Sequence, residues 1–174
     1  MPAPTAQPNP DALRTMLLDQ VAYLADEVEM QKRLIHRVPK AVQEGRPMPD
    51  DFSMKEIYGI LALRDEQVHA PLLRNRTEPM ALPQDTDLAT ANDWNSEPIL
   101  ALLNRVQQAR RAVVNSLSAL DTATWQQAIT LGDKQMHLFA LAHRITQQDA
   151  DLLRDLGYRL HESRLTDRNE ALPK

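Results

Sequence analysis

The stretch DDFSMKEIYGIL, Asp50 to Leu61, decides how the chain is read. Ser53, followed three residues later by Glu56, forms a capping box. The serine oxygen takes a backbone N–H of the first turn, and the glutamate reaches back to the N-cap N–H. Behind it, Ile57, Ile60, Leu61, Val68 and Leu72 recur at helical spacing, which predicts an amphipathic helix. Pro71 is expected to end or kink that helix, because it has no N–H to donate.

Working outward, similar signals recur. Asn9, Pro10 and Asp11 supply an N-cap, a first-turn proline and an acid at the positive helix end. They predict a first helix from about Pro10 to Arg37, with Leu13, Leu17, Leu24, Val28, Ile35 and Val38 in one stripe. Residues 40–51, KAVQEGRPMPDD, read as a connection. Residues 74–95 are polar, broken by Pro79 and Pro83, and form a long loop able to cross a bundle. Ser96, Glu97 and Pro98 open a third helix that carries Ile99, Leu102, Leu103, Val106, Val113, Leu117 and Leu120. Asp121 caps a short helix in DTATWQQAI, and Gly132 breaks the chain. A last helix is expected from near Asp133 to about His161, with Leu138, Leu141, Ile145, Leu152, Leu156 and Leu160 inside. No segment carries a convincing strand pattern. The fold class expected is all-α: a four-helix bundle with a long crossover loop between its second and third helices. Residues 1–8 read as a loose N-terminal segment, 9–162 as the bundle domain and 163–174 as a polar tail.

Composition agrees with this. The chain has 174 residues, 43% hydrophobic and 25% charged, enough for one domain with its own core. Only 4 residues are glycine, too few for a turn-rich β protein. A net charge of −4 does not suit a protein that neutralises nucleic-acid phosphates. With no cysteine, thiolate nucleophiles, disulfides and Cys-based metal sites are excluded. The opening MPAPTAQPNP has neither a basic n-region nor an apolar core, so no signal peptide is expected. No apolar run approaches the roughly 20 residues that span a bilayer. The expectation is a cytoplasmic protein with no membrane or nucleic-acid partner.

Two stretches resemble the DinB-like superfamily of four-helix bundles. FSMKEIYGILALRDEQ, Phe52 to Gln67, is similar to the start of that family's second helix. LAHRITQQDADLLRDLGYRL, Leu141 to Leu160, resembles its last helix, where two histidines sit one turn apart. The resemblance in arrangement runs from about residue 10 to 161. It implies a divalent metal, such as zinc or nickel, held by three histidines, with thiol-dependent transferase or isomerase activity in some members. Matched position by position, the ligands fall on Ile60, Gln148 and Leu152. Two aliphatic side chains and an amide do not make a site for zinc or nickel. The resemblance therefore implies a divergent bundle without metal or other cofactor. Such a bundle would bind a small molecule or a protein partner in an inter-helix pocket.

The remaining residues yield a few rival readings. Glu66 and His69 form the chain's single Glu-x-x-His pair, and with His143 they make a rearranged ligand set. That set would serve a metal-dependent hydrolase or thiol-dependent transferase, the alternative function. The simpler expectation places Glu66 and His69 on a partly solvated face. Asp149, Asp151 and Asp155 read as a wet helix face rather than a catalytic pair. Arg105, Arg110 and Arg111 read as a solvated or interface face, and Arg74 with Arg76 as a lesser anion-binding spot. Trp94 and Trp125 read as packing anchors. Tyr58, Arg144 and Gln148 are the candidates for lining a pocket. Adjacent apolar pairs, Ile99 with Leu100 and Leu102 with Leu103, suggest wide stripes and a homodimer.

Overall fold

Helix α1, Pro10–Ile35, begins as its cap residues require. The Asn9 side-chain oxygen accepts from the Asp11 N–H at 3.0 Å. A short α2, Lys40–Glu44, follows in the expected connection. The capping box then starts α3, Met54–Arg64: Ser53 Oγ accepts from the Glu56 N–H at 3.1 Å, and Glu56 Oε2 accepts from the Ser53 N–H at 2.6 Å. Past Arg64 the helix widens into one π turn, Asp65–His69, in which the Ala70 N–H bonds the Asp65 carbonyl. It resumes as α4, Ala70–Arg74. Pro71 explains the irregularity, since a mid-helix proline forces the backbone ladder to rearrange around it. The computed structural model describes residues 9–170, with side chains described to 161. The N-terminal segment expected at 1–8 and the last residues of the expected tail lie outside that range.

The long connection is less empty than expected. It contains α5, Asp85–Thr90, and a 3-10 turn, Trp94–Ser96. Helices α6, Ile99–Ser118, and α7, Thr122–Trp125, follow. The structure corrects the reading that no strand exists. Strands β1, Ala128–Leu131, and β2, Lys134–His137, pair antiparallel from Ala128 with His137 to Leu131 with Lys134. Gly132 turns this hairpin with φ +63°, a left-handed conformation that favours glycine. The last helix, α8, Leu138–Glu170, therefore starts five residues later than the break at Gly132 suggests, and it continues past His161. Met80 pins the long connection to the hairpin: its N–H donates to the Thr130 carbonyl at 3.0 Å, and its own carbonyl accepts from the Gly132 N–H at 2.7 Å.

The bundle is built from α1, the α3–π–α4 rod, α6 and α8. Helix α1 packs on α6 and α8, and α3 packs on the same two. The first and second long helices thus sit on a diagonal, which the long crossover permits. The interior divides into two apolar clusters. One holds Leu24, Leu61, Leu63, Val106 and Leu156; the other holds Val21, Val68, Val113 and Ile145. On α3–π–α4, α6 and α8 the break between the clusters falls where Asp65, Arg110 and Asp149 are buried.

Trp94 closes the first cluster. It is buried, and its Nε1 donates to the Leu88 carbonyl at 3.1 Å. Gly59 lets it lie directly on α3, because a Cβ there would fall 2.4 Å from the indole ring. Trp125 is likewise buried and donates to the Leu117 carbonyl. Leu100, one of the residues behind the expectation of wide stripes, is exposed, whereas Leu102 and Leu103 are buried. Among the described residues no helix is long and apolar enough to cross a membrane.

Candidate functional site

Arg110 of α6 reaches into the level between the two clusters, where it is only 1% exposed. Its Nε donates to Asp65 Oδ2 at 2.7 Å and its Nη2 to Asp65 Oδ1 at 3.3 Å. Nη2 also donates to Asp149 Oδ1 at 3.0 Å, and Nη1 donates to Asp149 Oδ2. Nη1 further donates to the Val21 carbonyl at 3.2 Å. One guanidinium on α6 therefore binds to α1, the π turn and α8 together. His69, one turn past Asp65, sets its Nδ1 2.7 Å from Asp65 Oδ1.

Two carboxylates share one fixed positive charge here, and they respond differently. Burial acts to raise the Asp65 carboxyl, but the Arg110 charge and the His69 hydrogen bond outweigh it and hold that group below the usual carboxylate range. At Asp149 burial outweighs Arg110, and the carboxyl is pushed up. Burial disfavours the charged form of Arg110, yet the two carboxylates keep it firmly protonated. An ionised Asp65 can only accept hydrogen bonds. The hydrogen between Asp65 and His69 thus belongs to Nδ1, and Nε2 is left for another partner.

His69 also lines a cavity of about 250 Å³. Arg64 and Val68 line it from the same rod, Arg144 and Gln148 from α8, and residues 82–86 from the long connection. Arg144 and Gln148 are one turn apart, so they share a helix face. Arg64 is clamped by Asp85: Nε donates at 3.1 Å to Oδ1, and Nη2 donates at 2.5 Å to each carboxylate oxygen. Arg64 Nη1 and Arg144 Nε are both buried without a hydrogen-bond partner.

The residues singled out from the sequence scatter. Ile60 is fully buried in the first apolar cluster, and Leu152 packs against that cluster. Of the three matched positions, only Gln148 lines the cavity, and Arg144 lines it beside Gln148. Tyr58 is buried away from the cavity lining, and its hydroxyl donates to Gln31 Oε1 at 2.6 Å. Glu66 is taken up by Arg105, which donates to it at 2.8 and 2.7 Å. His143 is exposed. Three solvated-face expectations are corrected: His69, Arg110 and Asp149 are all buried. Asp65, Arg64 and Asp85 were not anticipated. Asp65 could have been found, since it stands at a core-facing position between Leu61 and Val68.

No protein-family model and no curated protein sequence matches the chain. A solved structure does: YfiT from Bacillus subtilis, with a TM-score of 0.64 over 90% of this chain and 93% of that one, at 11% identity. YfiT is described as a probable metal-dependent hydrolase with an unusual four-helix bundle topology. This chain has a four-helix-bundle fold similar to that of YfiT. At this identity the likeness speaks for the fold alone.

The DinB-like resemblance implies a divalent metal, and the cavity can be tested for one. Its possible donors to a cation are the His69 imidazole, the Gln84 and Gln148 amides, the Thr86 hydroxyl and the Asp85 carboxylate, which Arg64 already holds. Two guanidinium groups stand beside them. Guanidinium carries no lone pair for a metal and repels one electrostatically. Among the described residues, no group of three or more His, Asp or Glu side chains could hold a metal ion. The donor set does not fit zinc or nickel.

Proposed function

We propose that this protein binds a small molecule in the cavity between its second-helix rod and α8, without a bound metal. The observation that carries the reading is the cavity lining itself. One imidazole, backed by a buried aspartate, shares the lining with two amides, Gln84 and Gln148, and two arginines, of which Arg64 is paired with Asp85. Such a lining combines convergent polar groups with apolar walls from Val68 and Leu82, as ligand sites do. The volume is below the roughly 300 Å³ at which drug-sized sites begin, which favours a small occupant. Tight fixing of His69 by Asp65 supports a positioned polar contact over an incidental one.

A second reading is a metal-dependent hydrolase with a rearranged ligand set. It is favoured by the description of YfiT and by the uncommitted Nε2 of His69. Elemental analysis of protein purified without a histidine tag separates the two. The first reading expects no stoichiometric transition metal. It also expects amide signals near Arg144 and Gln148 to move when a small-molecule library is screened by NMR. One equivalent of zinc or nickel per chain, lost in His69→Ala, would sink the first reading and establish the second.

A further inference from the structure

We infer that the occupant of this cavity is a small oxyanion, a carboxylate or a phosphate, taken by the guanidinium of Arg144. The inference rests on the small-molecule reading above and names the class of ligand. Arg144 is half-buried and makes no ion pair or hydrogen bond with any described residue. A guanidinium in that position normally has a carboxylate or phosphate against it, because a partly desolvated charge without a partner is costly. Asp85, itself part of the lining, neutralises Arg64 through Nε and Nη2, which leaves the Arg144 charge unmatched in the cavity wall. Buried side-chain donors are satisfied in the large majority of cases. An oxyanion supplies several acceptors at once and forms charge-assisted bonds with guanidinium. Gln148 adds an amide donor to the same wall.

The test follows the arginine Nε–H signals of the metal-free protein by NMR during three titrations: acetate, inorganic phosphate, and acetamide as the neutral isostere of acetate. Saturable shifts of Arg144 with acetate, with phosphate or with both are expected; which anion saturates tells carboxylate from phosphate. Acetamide is expected not to saturate it, and exposed Arg111 to show only a linear drift. Arg144→Gln should bind about tenfold more weakly, a loss of about 1.4 kcal/mol. Gln148→Glu, which adds a second carboxylate to the wall beside Asp85 and one turn from Arg144, should abolish binding. Circular dichroism must show both variants to be folded as the parent is. Overturning results are no saturation with either anion, equal saturation with acetamide, or unchanged affinity in both folded variants. Saturation by acetamide alone would remove the anion and leave the small-molecule reading standing. A stoichiometric bound metal would instead remove that reading.

Discussion

Arg110 Nε lies 2.7 Å from Asp65 Oδ2, although the two residues stand 45 apart in the chain and both are almost wholly buried. The bond joins the third long helix to the irregular turn of the second, at the level where the apolar core is interrupted. Removing one partner would leave the other charge buried without compensation. Arg110→Ala or Asp65→Ala should therefore cost about 3–5 kcal/mol in urea unfolding. A cost below 1 kcal/mol would mean that water reaches the network and relieves it. Replacing the exposed ion pair of Arg154 with Asp151 should change stability by at most about 1 kcal/mol.

The two carboxylates on Arg110 should give opposite dependences on pH. Asp65 has a lowered folded value, so its contribution is complete above the ordinary carboxylate value of about 3.9 and is lost as pH falls through the lowered one. Asp149 has a raised folded value, so its contribution is present below about 3.9 and is lost as pH rises through the raised one. Asp149→Asn removes only the second effect. The stability of the wild type relative to Asp149→Asn should therefore shrink as pH rises above about 4. Urea denaturation of both proteins across that range measures it. A gap that stays constant or widens would show that Asp149 is not pushed up.

Two glycines should respond in opposite senses to alanine. At Gly59 the added methyl would lie 2.4 Å from the Trp94 ring, which is buried and held by its hydrogen bond to the Leu88 carbonyl. Overpacking of this kind costs about 1–3 kcal/mol. At Gly157, inside α8, nothing lies within 4 Å of the new atom. There alanine should stabilise by about 0.5–1 kcal/mol, because glycine loses more backbone entropy in a helix. Thermal melts of the two variants decide the point; a melting temperature that rises for Gly59→Ala contradicts the described packing.

Tyr58→Phe should cost about 1–3 kcal/mol in the same assay. Its hydroxyl donates to Gln31 Oε1 at 2.6 Å in a buried setting, and the variant leaves that oxygen short of a partner. The affinity for a cavity ligand should be unchanged, since Tyr58 does not line the cavity. A variant that keeps its stability but loses ligand binding would place Tyr58 nearer the site than its contacts do.

Much of this was legible in the chain, and some of what was missed had a readable trace. The caps of α1 and α3 and the apolar stripes follow from local rules, and they appear where those rules put them. The hairpin escaped notice because its strands have four residues each and expose most of one of them. Leu61, Asp65, Val68 and Leu72 have the same spacing as Val106, Arg110, Val113 and Leu117, and as Ile145, Asp149, Leu152 and Leu156. In each series a charged residue takes a core-facing position among aliphatic ones. Read singly, Arg110 and Asp149 looked like parts of wet faces, and Asp65 drew no reading. Read as three matching interruptions, they announce charges that must be buried together.

The sequence by itself determined the helices, their inward faces and the break at Pro71, because caps, periodicity and proline act within a few residues of chain. Only the tertiary structure decided which charged side chains meet. The pairing of Arg110 with Asp65 and Asp149, and the convergence of His69, Arg64 and Arg144 on one cavity, depend on the order in which helices neighbour each other. Helical spacing fixes the direction in which a side chain points but not the element it faces, so contacts across the bundle are set by packing.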